Sequence, residues 1–176
     1  MQPYVETAIQ WLWDTVRCHL RSADRGSPGE AGHWVDLCWD IGHSLAMMQS
    51  QGIPVPPVIE SVSCQLRKEF PGERGLRPSD FQLMRHFYLV YFEKARWHSR
   101  LREVPWDLHA YLLETCKDPL QQEFYLELCL REVSTLAELA RAIRSSRFEL
   151  SATPSDGVNA LGRSRGGTGG TPGSRP

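Results

Sequence analysis

The side chains of this sequence best placed for chemistry are cations and amides clustered around one Pro-Gly turn. Arg67, Lys68, Arg74, Arg77, Gln82, Arg85 and His86 hold polar positions in a segment, Ile59 to Tyr91, that reads helix, turn, helix. That order predicts a helix-turn-helix or winged-helix-like layout whose second helix enters a major groove. Gln82 and Arg85 are then candidate groove or base contacts, with His86 beside them, and Arg67, Lys68 and Arg77 are candidate phosphate contacts. The turn is longer than the usual length of about three to four residues. The same residues would also suit a solvated basic face that balances acidic helices around it.

Other reactive residue types form no site at their spacings. The histidines, His19, His33, His43, His86, His98 and His109, make no i,i+4 pair with a suitable second ligand. The five cysteines, Cys18, Cys38, Cys64, Cys116 and Cys129, are odd in number and lack a CxxC pair. Several fall in apolar stripes, so they are expected to be buried free thiols in a reducing compartment. No Gly-x-Ser-x-Gly elbow is present. No metal or cofactor is expected.

Charge is distributed in blocks beneath a formal net charge of −1. Residues 1–66 hold three basic and seven acidic side chains, whereas 67–102 hold nine and four. Residues 103–140 hold two and eight, and 141–176 hold six and two. An anionic partner should therefore meet the second and fourth blocks. The N-terminal stretch lacks a charged n-region and a small-residue cleavage site, and Glu6 and Asp14 interrupt its apolar positions. No uncharged apolar run approaches the roughly 20 residues that span a bilayer. A cytoplasmic protein without a membrane partner is expected.

The elements that must position these residues are helices. Val5, Ile9, Leu12, Val16 and Leu20 recur at helical spacing, and after the loop SADRGSPGEAG so do Trp34, Leu37, Cys38, Ile41, Leu45 and Met48. Gly52, Pro54, Pro56 and Pro57 stop that second helix, and a third is predicted from about Val58 to Phe70. Pro78 opens a fourth, with Phe81, Met84, Phe87, Tyr88 and Tyr91 inward. Trp106, Leu108, Leu112 and Leu113 suggest a short fifth. Asp118-Pro119 starts a sixth with Leu120, Phe124 and Leu128 as its inner face. Thr135-x-x-Glu138 is a capping box for a last helix ending near Phe148. The tryptophans and the run Phe87, Tyr88, Tyr91, Phe92 read mostly as core. No sustained period-two alternation appears, leaving room for a small hairpin only near the Pro-rich loop or residues 98–105. The fold class is therefore all-α, about seven helices in one domain over 1–150. Residues 151–176, rich in Gly, Ser, Thr, Pro and Arg, are expected to be a disordered tail, whose Arg163, Arg165 and Arg175 could add weak nucleic-acid affinity.

The order of landmarks resembles the N-terminal domain of the YhcG-type family, bacterial proteins in which a helical region precedes a PD-(D/E)xK nuclease domain. The resemblance covers about residues 34–148. It rests on WDIG at Trp39–Gly42, the EFPGERGL segment ending at Leu76, FQLMRHFYLVY at Phe81–Tyr91 and PWDLHAYLL at Pro105–Leu113. KDPLQQEFYLE at Lys117–Glu127 and TLAELARAI at Thr135–Ile143 complete it. Two positions depart from the family. Arg77 and Asp80 stand where Ser and Asn are usual, so Ser79 or Asp80 is the expected cap of the fourth helix. Ser134 replaces a Trp before the last helix, removing an apolar staple.

A PD-(D/E)xK centre needs a metal-binding carboxylate followed by an Asp/Glu-x-Lys strand. Glu93-Lys94 is adjacent rather than spaced, and Glu114 to Lys117 has one residue too many on a predicted helix. No nuclease domain follows the resembling segment within these residues, so no catalytic residue is expected in this chain. His109, within PWDLH, is singled out by the resemblance and reads as a buried hydrogen-bonder. The resemblance implies a non-catalytic accessory domain of a nuclease or mobile-element defence system that binds nucleic acid, with duplex DNA as the expected target. The competing reading is an interaction module. There, the N-terminal helix with Trp11 and Trp13, together with the acidic 103–140 block, would mediate self-association or docking to a separately encoded nuclease subunit.

Overall fold

The computed structural model describes residues 3–22, 30–94 and 99–152. The described residues contain α1 (Pro3–Ser22), α2 (Glu30–Ser50), α3 (Val55–Glu69) and α4 (Pro78–Tyr91). A 3-10 turn (Leu101–Glu103) leads into α5 (Trp106–Thr115), α6 (Pro119–Arg131), α7 (Leu136–Arg144) and α8 (Arg147–Ala152). No strand occurs among them, so the all-α class holds, and the 3-10 turn occupies the place where a hairpin had room. No helix of the described residues is long and apolar enough to cross a membrane.

The core is in two parts joined by α2 and α4. One part is built from the α1 stripe Val5, Ile9, Leu12, Val16, Leu20, from Leu37, Ile41 and Leu45 of α2, and from Val58, Ile59, Val62 and Leu66 of α3, closed by Phe81 and Met84 of α4. The other gathers Phe87 and Tyr91 of α4 with Leu108, Leu112, Leu113 of α5, Tyr125 and Leu126 of α6, and Leu139 of α7. Thus α4 contributes one turn to each part, and its periodicity places all four of these rings and chains on one side. Helices α2 and α4 meet at Gly42, where the backbone of one lies against the backbone of the other. A Cβ there would lie 2.2 Å from the Met84 carbonyl oxygen and 2.8 Å from the Tyr88 Cβ.

Capping follows the local chemistry read from the sequence, with corrections. Asp118 accepts from the Leu120 amide at 2.9 Å, and Thr135 and Glu138 form their reciprocal box. Helix α3 starts at Val55, ahead of the expected Val58, because Pro56 and Pro57 sit in its first turn, where helical amides lack partners in any case. Helix α2 likewise starts at Glu30, inside the expected loop. At α4 it is Asp80 that reaches back, accepting from the Arg77 amide at 2.9 Å, so Asp80 rather than Ser79 completes the start.

The expected last helix is two helices. α7 ends at Arg144, Ser146 takes φ +50°, and α8 turns back so that Phe148 packs edge-on to Phe124. The helix pattern also extends two residues into the expected tail, while residues 153–176 lie outside the described residues. Of the expected inner face of α6, Leu128 is buried and Phe124 packs half-buried against the second part of the core, but Leu120 is not part of it. Leu120 is 67% exposed, whereas Gln122, Tyr125 and Leu126 are buried. Gln122 earns its burial by donating to the Cys116 carbonyl at 2.7 Å, which closes the end of α5. Among the cysteines, Cys38 and Cys116 are buried and Cys129 is half-buried, but Cys18 and Cys64 are exposed on the outer faces of α1 and α3. Burial pushes the Cys38, Cys116 and Cys129 thiols up, the last to about 12, which removes their thiolate at neutral pH.

His109 is fully buried, as expected of a hydrogen-bonding imidazole. Its Nε2 lies 2.9 Å from the Leu101 carbonyl oxygen and donates to it, tying α5 to the 3-10 turn. Phe87 meets His109, Trp106, Trp39 and Tyr91 edge-on around it. Burial lowers the His109 pKa to about 4, outweighing the carbonyl bond that raises it.

Two predictions follow from this packing. Gly42→Ala forces α2 and α4 apart, and although alanine favours helix, the overlap should cost about 2–3 kcal/mol and lower Tm by roughly 10 °C in calorimetry. His109 is neutral when folded but titrates near its ordinary value of about 6.5 when unfolded, so the unfolded chain binds more protons between those values. Stability is therefore full above about pH 6.5 and falls by about 3 kcal/mol on acidification towards pH 4. Urea titrations across that window should show the loss, and His109→Gln should flatten this part of the profile.

Candidate nucleic-acid interface

The residues singled out by the sequence surround the connection between α3 and α4. Residues 70–77 form this connection, and it is pinned at several points. The Ser63 hydroxyl donates to the Leu76 carbonyl from within α3, and Leu76 itself is buried. Gly75 takes φ +80°, and a Cβ there would lie 2.9 Å from the Trp34 ring, so the loop rests on α2 through a contact open only to glycine. The Phe70 amide donates to Leu66 and the Glu73 amide to Phe70, ending α3 in a turn. Arg74 and Arg77 are thus carried on a fixed loop, and Arg67 and Lys68 on the last turn of α3 before it.

The cations differ in what they touch. Arg67, Lys68 and Arg74 are exposed and make no ion pair with described residues. Arg77 is exposed and pairs with Asp80 at 3.2 Å; this hydrogen bond and charge raise its pKa, with Glu114 adding to the effect. The guanidinium is exposed while the Asp80 carboxylate is largely covered, and an i,i+3 pair of this kind contributes little to stability. Arg85 is half-buried and donates to the Gln49 side chain at the end of α2, while its Nε is buried without a partner. Gln82 and His86, one helical turn apart, are exposed on the outer face of α4. Partial desolvation, then the nearby Lys117 and Arg85 charges, hold the His86 pKa below the usual imidazole range.

The structure therefore groups these residues in two sets. Arg67, Lys68, Arg74 and Arg77 flank the loop, and Gln82, Arg85 and His86 run along α4 with Lys117 beside them. Helix α3 packs mainly on α1, and α4 mainly on α2 and α5. Among the described residues nothing covers Gln82 and His86 on the outer face of α4, while Arg85 is turned towards α2.

Sequence reading missed Arg17, Arg21 and Lys117. Arg17 and Arg21 lie one turn apart on α1 and reach across to Glu69, in the last turn of α3, at 2.8 and 2.6 Å. The Arg17 hydrogen bond, with Arg21, lowers the Glu69 pKa. The i,i+4 spacing of the two arginines was visible, but it sat in a block with an acidic balance. Lys117 lies in the acidic 103–140 block, and only the α5–α6 connection brings it to His86. The tail arginines lie outside the described residues. No group of three or more His, Cys, Asp or Glu side chains suited to a metal occurs among the described residues.

Neither the curated proteins nor the solved structures contain a match to this chain. A family described as the DUF1016 N-terminal domain matches residues 31–150, which takes in α2 through most of α8 and leaves α1 outside. The match covers the Gly42 contact, the pinned loop and the buried His109 together: the chain belongs to the DUF1016 N-terminal domain family, the YhcG-type N-terminal domain.

Proposed function

We propose that this domain is a non-catalytic, nucleic-acid-binding accessory domain of a PD-(D/E)xK nuclease or mobile-element defence system, with duplex DNA as its target. The observation that carries this reading is the set of exposed cations without ion-pair partners among the described residues, Arg67, Lys68 and Arg74, flanking a pinned loop next to the exposed α4 face of Gln82 and His86. Family membership supports the nuclease association. In this reading Arg67, Lys68, Arg74 and Arg77 neutralise phosphates, Arg77 exchanging Asp80 for the backbone. Gln82 and His86 face the groove, and Arg85 joins them by releasing Gln49.

A second reading, an interaction module, is favoured by one feature. Tyr4 and Trp11 are 49% and 51% exposed and lie two turns apart on α1, outside the family match. Self-association through this face should appear in sedimentation as a concentration-dependent mass that Trp11→Glu abolishes, and a monomer at high concentration would remove that reading.

The DNA reading is tested by fluorescence anisotropy with a labelled duplex across salt. The logarithm of affinity should fall linearly with the logarithm of salt, and removing Arg67 and Lys68 together should reduce that slope by about 2. Gln82→Ala should change affinity by about 1–3 kcal/mol for some sequences and little for others. No affinity at low salt, or a slope indifferent to Arg67, Lys68, Arg74 and Arg77, would sink it.

A further inference from the structure

An open cleft of ≈ 630 Å³ lies between α2, the α3–α4 loop, the start of α4, α5 and the start of α7. Its walls include the half-buried rings of Trp34, Trp106 and Tyr111, and its rim carries Asp80, Asp107 and Glu114. Arg74 is the single arginine among the lining residues. Asp80 is engaged by Arg77, but Asp107 and Glu114 form no ion pair with described residues. Aromatic faces beside carboxylates that lack an ion pair among the described residues favour a planar cation, which can lie on a ring while its N–H groups reach the acids. The same chemistry already operates elsewhere in the molecule, where Arg17 lies 4.5 Å from the Trp13 ring centre and bonds Glu69.

We propose that this cleft docks an arginine side chain, and that the arginine is Arg163 or Arg165 of this chain's own segment beyond α8. Charge complementarity and reach carry the assignment. Residues 153–176 hold three arginines against one aspartate, and Gly162 and Gly166 flank the Arg163-Ser164-Arg165 pair, so no bulky neighbour holds the backbone away from the rings. Leu136, the first residue of α7, lines the cleft. The rise of α7 and α8 and the short break between them place Ala152 within roughly 30 Å of it. The chain from Ala152 to Arg163 can extend roughly 36–40 Å, longer than that separation.

The test follows the indole N–H resonances of Trp34 and Trp106 in the full chain, assigned with Trp34→Phe and Trp106→Phe. Arg163→Gln with Arg165→Gln should move both resonances, and a free peptide of residues 161–170 should restore them in that variant. Wild type should take the same peptide at least tenfold more weakly, because its own segment competes. Asp107→Asn with Glu114→Gln should move the same resonances and abolish the response to peptide. Identical spectra for wild type and Arg163→Gln/Arg165→Gln would overturn the proposal. If the peptide nevertheless shifted those spectra, the cleft would belong to a basic segment of another molecule. A full peptide response in the Asp107→Asn/Glu114→Gln chain would equally overturn it, by removing the carboxylates from the site.

Discussion

The architecture depends on the close approach of α2 and α4 at Gly42. Only a residue without a Cβ lets the Met84 carbonyl and the Tyr88 side chain come so near the α2 backbone. That approach brings Trp39 and His43 onto the Tyr88 ring, with centroids 4.9 and 5.0 Å away. It also sets Phe81 and Met84 into one half of the core while Phe87 and Tyr91 enter the other. The two halves are therefore braced by one helix pair, and displacement of that pair would open both. With its inner side committed in this way, α4 has only its outer positions to offer a partner.

Charge is used in two distinct ways on this frame. Some cations join elements distant in sequence: Arg17 and Arg21 hold α1 to the end of α3 through Glu69, Arg102 holds the 3-10 turn to Asp36 of α2, and Lys94 reaches Glu123 of α6 at 2.7 Å. Others, among them Arg67, Lys68 and Arg74, have no such engagement and lie at the α3–α4 connection. The basic block of residues 67–102 is thus partly structural and partly free. Separating the two classes requires knowing which carboxylates arrive beside which cations, and those come from acidic blocks far away in the chain.

The candidate site was legible to the extent that it is local. The residues around the Pro-Gly turn share one stretch of sequence, and Asp80 capping, the glycine at positive φ and the proline start of α4 all depend on neighbours a few positions away. Arg85 shows the limit. Its polar position on α4 suggested a groove contact, but the angle between α2 and α4 delivers Gln49 to its guanidinium. Lys117 shows the converse, a cation in an acidic block that the α5–α6 connection carries to His86. The exposure of Leu120 on α6 has the same origin. Leu120 satisfies helical spacing with Phe124 and Leu128, which do pack on the core, but the buried amide of Gln122, matched to the Cys116 carbonyl, takes the inward position in the first turn and leaves Leu120 exposed.

What the sequence determined by itself is the helical class, most element positions, the caps at Asp118 and Thr135, and the clustering of cations about one turn. These rest on 3.6-residue periodicity and on backbone groups satisfied within a few residues. Tertiary structure decided the rest: the division of the core, the break at Ser146, the exposure of Cys18 and Cys64, and the separation of free cations from bonded ones. It also assembled the aromatic and acidic cleft from Trp34, Asp80, Trp106 and Leu136, which lie on four helices. The physical reason is one of range. Capping and periodicity act over one or two turns, whereas burial and ion pairing depend on which helices meet, and here that is governed by a contact between Gly42 and Met84, 42 positions apart in the chain.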